Sequence, residues 1–134
     1  VTDLLDLGER VLQLVGDRAE AEVTVTAGRT ALTRFANSTI HQNVADQRLA
    51  VRLRLVAGGR LAASGTDRTD APALRRLVES TLEAATLRPV DPGWPGLAPA
   101  VPVDGGGAHR WDPATASAPA DRRADVVAAF VQAG

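Results

Sequence analysis

The chain has 134 residues, 45% of them hydrophobic, which is enough to bury one modest core without help from disulfides or metal. Fifteen basic residues stand against sixteen acidic ones, a formal charge of −1, and that balance argues against a polyanion binder. The absence of cysteine excludes a disulfide framework, thiolate zinc sites and a cysteine nucleophile together.

No apolar run approaches the roughly 18 to 20 residues needed to cross a bilayer, and no basic, then apolar leader opens the chain, so a cytoplasmic location is expected. The first residue is Val1, and the apolar pattern Val126, Val127, Phe130, Val131 runs almost to Gly134. Both features suggest a piece of a longer protein.

From Asp3 to Val15 the residues Leu4, Leu7, Val11 and Leu14 recur on one helical face, with Thr2 as an expected N-cap and Gly16 as an expected C-terminal cap. Ala21 to Ala27 then alternates: Ala21, Val23, Val25 and Ala27 on one side, Glu22, Thr24 and Thr26 on the other. This is the pattern of a half-buried strand. Gly28-Arg29 reads as a tight connection into a second strand, Thr30 to Ala36, and Asn37-Ser38 as a turn. A short strand or an extended edge at Ile40 to Val44 follows. Between Gln47 and Val56, Leu49, Val51, Leu53 and Leu55 face one way and Arg48, Ala50, Arg52 and Arg54 the other.

Gly58-Gly59 has the conformational freedom of a two-residue hairpin and returns the chain through Arg60 to Gly65. A helix then opens at Asp70 with Pro72 in its first turn and carries the stripe Leu74, Leu77, Val78, Thr81, Leu82 and Ala85. Beyond Leu87, five prolines and several glycines up to residue 108 predict an extended linker, with Gly105-Gly106-Gly107 as a hinge. Ser117 is the expected cap of a last helix, with Pro119 in its first turn. The fold class is therefore α+β: an antiparallel sheet of about four to five strands with helices on one face, a Pro/Gly linker and a C-terminal helix. The expected division is 1–87 for the α+β domain, 88–108 for the linker and 109–134 for the start of a further domain.

Side chains able to do chemistry are sparse. His41 and His109 are the only histidines, they fall in different units, and no HExxH spacing joins them, so no metal site is expected in this chain. Ser64 lacks a GxSxG elbow, and Asn37-Ser38-Thr39 matches a glycosylation sequon that has no meaning without secretion. Arg75 and Glu79 are spaced to pair on the exposed face of the second helix. Arg48, Arg52 and Arg54 could grip an anion, but the solvated side of an amphipathic sheet accounts for them better.

The passage TRFANSTIHQNV, followed by a valine-arginine strand, a Gly-Gly-Arg hairpin, an Ala-Ser-Gly-Thr segment and a capped helix, resembles the N-terminal region of the TldD/PmbA (TldE) family. The likeness covers Leu4 to about Leu87, and Trp111 to Val127 resembles the family's entry into its middle domain. The wording is slightly closer to the PmbA-like branch. Members have been labelled zinc-dependent peptidases and modulators of DNA gyrase. The resemblance implies an assembly with a partner subunit of the same family, homo- or hetero-oligomeric, that acts on unfolded peptides. Zinc would sit on an HExxxH helix in the C-terminal half of TldD-type members, so no catalytic residue and no cofactor transfers to this chain. The expected role is scaffold and interface, with Arg34, Phe35, Asn37, Ser38, His41 and Gln42 as the peptide-binding or interface positions. The alternative is a nucleic-acid accessory module working through the arginine face, for which binding would fall steeply with salt. A free-standing small-molecule enzyme ranks last.

Overall fold

The computed structural model describes residues 3–99, 101 and 111–134. Helix α1 (Leu4–Val15) leads through a short 3₁₀ turn into strands β1 (Glu20–Ala36), β2 (Thr39–Ala57) and β3 (Arg60–Thr66). Helix α2 (Ala71–Thr86) follows, and after the linker come the one-turn α3 (Pro113–Ala116) and α4 (Ala120–Ala133). The strands form one antiparallel sheet in the order β1-β2-β3. The chain divides into two compact units, one of residues 1–28 and 47–99, the other of residues 29–46 and 100–134.

The strand count is three, fewer than the four to five expected, because the expected breaks are absent. Gly28 is not among the residues with positive φ, so Gly28-Arg29 makes no tight turn and both segments join into one strand of 17 residues. The stretches at residues 40–44 and 47–56 join in the same way into the 19 residues of β2. The strands reverse where the backbone enters the left-handed region, at Asn37-Ser38 and at Gly58-Gly59. A two-residue hairpin of type I′ needs positive φ at both central residues.

The first unit holds the core. Leu7, Val11 and Val15 from α1, Val51, Leu53 and Leu55 from β2, Ala62 from β3, and Leu74, Leu77, Val78 and Ala85 from α2 form one buried cluster, with Ala21, Val23 and Val25 packed against it. Period-two alternation in β2 therefore sends its leucines to the helices and Arg52 and Arg54 to the opposite face. Each fully buried aliphatic side chain contributes about 1.5–3 kcal/mol before entropy is counted.

The helix ends are fixed locally. Thr2 lies outside the described residues, and the cap of α1 is Asp3, whose carboxylate accepts from the Leu5 N–H at 2.9 Å. Gly16, at φ +57, closes the other end. Asp70 caps α2; the Ala73 N–H, with the Arg68 guanidinium beside it, holds its carboxyl below the usual aspartate range. Glu79 pairs with Arg18 at 2.9 Å rather than with Arg75. Arg18 also donates to the Leu14 and Val15 carbonyls at the end of α1, so one guanidinium serves two helices.

Near the C-terminus the expected cap moves. Asp112 caps α3, its carboxyl held low by the Thr115 hydroxyl and N–H, and the Ser117 hydroxyl closes that turn by donating to the Pro113 carbonyl at 2.7 Å. Pro119 is then the N-cap of α4 instead of a first-turn residue. A residue before proline is pushed out of helical geometry, so the chain breaks at Ala118 and restarts.

Residues 88–99 form neither helix nor strand, yet they are tied down in the first unit. The Asp91 N–H donates to the Gly59 carbonyl at 2.8 Å, the Leu97 N–H reaches Glu20 at 3.3 Å, and Arg60 donates to the Arg88 carbonyl. The glycine hinge at 105–107 and His109 lie outside the described residues.

Candidate functional site

The six positions singled out by sequence all fall on the β1-β2 hairpin of the second unit. Asn37 (φ +49) and Ser38 (φ +61) are the turn itself. Asn tolerates this conformation, while a serine with positive φ is strained. Replacing Ser38 by glycine is expected to stabilise the hairpin by about 0.5–1 kcal/mol, read as slower amide exchange at Ala36 and Thr39. Unchanged or faster exchange would show that the turn is not under strain.

His41 lies on the strand after the turn, its Nε2 3.1 Å from the Ala36 carbonyl oxygen, so the ring braces the reversal. Phe35 meets Phe130 of α4 edge to face, ring centroids 5.7 Å apart. Such pairs contribute about 0.5–1.5 kcal/mol beyond the area they bury. Arg34 and Gln42 are exposed. The hairpin thus brings Phe35, Asn37, Ser38 and His41 into one braced tip and leaves Arg34 and Gln42 facing solvent.

The residue that holds this unit together was not singled out from the sequence. Arg123 of α4 donates to the Asn43 side-chain oxygen at 2.7 Å, to the Thr33 hydroxyl at 3.3 Å and to the Ala118 carbonyl at 2.8 Å. Thr33 in turn donates to Asn43 at 3.2 Å. One planar fork therefore gathers both strands and the segment before α4. Beside it, Ser38, Thr39, Ile40, Val127, Ala128 and Val131 border a shallow cleft of about 460 Å³.

These residues do not fit zinc. Among the described residues no group of three or more His, Asp or Glu side chains is placed to hold a metal ion. A zinc ion needs three or four such ligands converging.

The arginine face of the first unit is not a uniform basic strip. Arg54 is bonded to Glu22 at 2.7 Å, and its guanidinium lies 5.9 Å from the centre of the Trp94 ring. Trp94 is half-buried, although its surroundings in sequence read as linker. A lone indole between glycines and prolines was the signal that this segment packs.

These features define an α+β domain with a packed sheet and a braced hairpin. Residues 21–85 match the family model described as PmbA/TldA metallopeptidase domain 1. The match supports reading this stretch as part of the N-terminal region of the TldD/PmbA family. No curated protein matches it closely enough to add to this. Among the described residues no helix is long and apolar enough to cross a membrane.

Proposed function

We propose that this chain is a scaffold and subunit-contact module of a TldD/PmbA-type peptidase complex in the cytoplasm, and that the zinc chemistry is carried elsewhere in that assembly. The family match to a metallopeptidase first domain carries this reading. The local geometry agrees with it: the hairpin tip is fixed by a strained turn, an imidazole brace and an aromatic pair, which is what a surface of defined shape requires. The partner is a subunit of the same family, and the substrate is unfolded peptide, held mainly through main-chain bonds. The nucleic-acid alternative has less support, because Glu22 answers the charge of Arg54.

Arg34→Ala combined with His41→Ala, introduced into the full-length protein within its complex, should weaken subunit assembly or peptide cleavage by about tenfold. Sedimentation and a cleavage assay read the two separately. If both match the unsubstituted complex, the hairpin has neither role.

A further inference from the structure

The outer face of the first unit's sheet contains a depression of about 580 Å³, floored by β2 and β3 and walled on one side by Glu22 and Thr24. It exists because the residues paired with the two arginines are small. Gly65 lies opposite Arg52 and Ala63 opposite Arg54. A Cβ on Gly65 would stand 3.2 Å from the Val51 carbonyl oxygen and 3.6 Å from the Arg52 side chain, so the floor is tight. The volume lies in the range of small-molecule sites.

Two guanidiniums and one carboxylate line it. Arg52 is exposed and has no ion-pair or hydrogen-bond partner for its side chain among the described residues. Arg54 gives one tooth of its fork to Glu22, while its Nε–H is shielded from solvent without an acceptor. The Nε1–H of Trp94, whose ring lies over Arg54, is likewise shielded and without an acceptor. Two arginines against one glutamate leave a single positive charge, and the planar fork suits a planar carboxylate.

We propose that this depression binds a monocarboxylate with a short apolar body, its oxygens accepting from the guanidinium of Arg52 while its body lies over Ala63 and Gly65. Trp94 and Trp111 are the two tryptophans of the chain, so in a Trp111→Phe background the emission of Trp94 reports the site directly. Titration with hexanoate should change that emission saturably. Hexanamide, neutral and of the same shape, should not. Arg52→Gln should weaken the hexanoate response at least tenfold with the far-ultraviolet circular dichroism unchanged, and Ala63→Leu, which fills the floor, should abolish it. The proposal fails if hexanoate gives no saturable change, if hexanamide or inorganic phosphate matches it, or if both substituted proteins respond like the parent.

Discussion

Leu55→Ala should lower the unfolding free energy of the first unit by about 3–5 kcal/mol, the upper part of the range for leucine truncation in a core. Leu55 is fully buried on the central strand, among side chains from α1 and α2. Its cross-strand partner is Ala62, already small, so no large neighbour on β3 can lean in to fill the void. A typical domain has only about 5–15 kcal/mol of net stability, so this one change removes a large fraction of it. Urea denaturation followed by circular dichroism should show a lower midpoint with an unchanged slope. Leu5→Ala, at a position 77% exposed, is the control and should shift stability by less than about 0.5 kcal/mol. A Leu55→Ala effect below about 1 kcal/mol would mean that the core is not where the structure places it.

Arg123→Ala should act differently, loosening the second unit alone. Among its described residues that unit has no fully buried side chain; Phe35, Ile40 and Val44 are about 40% exposed, and Phe130 more so. A two-stranded ribbon is at best marginally stable in water, so the polar clamp carries an unusual share of the organisation. Losing bonds from one charged donor to three acceptors in a partly exposed setting should cost about 1–2 kcal/mol. Amide exchange between residues 33 and 43 should then speed up about tenfold, while the amides of Leu53 and Leu55 keep their protection. Lysine at position 123 should restore little, since a point charge cannot span Thr33 and Asn43. Unaltered exchange in the hairpin would remove Arg123 from this role.

Which parts of this architecture could be read in advance follows from how local the causes are. Leu7 and Val11, and later Leu74, Leu77 and Val78, recur at helical spacing, so both helices of the core and their buried faces are legible from periodicity. Asp70 and the pairs Asn37-Ser38 and Gly58-Gly59 declare themselves because one side chain or one backbone freedom determines the local geometry. Gly28 misleads for the same reason: glycine permits a turn without requiring one, and alternation on either side lets the strand run through. The family resemblance, carried by the hairpin wording, agrees with the matched domain.

The parts of the site that were not legible depend on distant partners. Arg123 sits in the first turn of α4, where an arginine looks like any solvated charge; its acceptors Thr33 and Asn43 lie 90 and 80 residues away. Arg18 answers Glu79 across 61 residues, which displaces the local Arg75 pairing that helical spacing offers. Trp94 was visible as an isolated aromatic, but its station over Arg54 depends on how residues 88–99 return to the sheet.

We propose that these residues give shape to an assembly and leave bond cleavage to other parts of it. The most direct measurement incubates the purified chain with an unfolded polypeptide, with added zinc and separately with a chelator, and follows new amino termini over time. No cleavage above the buffer control is predicted in either condition. Cleavage that persists under chelation, or zinc-dependent cleavage that disappears in His41→Ala, would contradict the account.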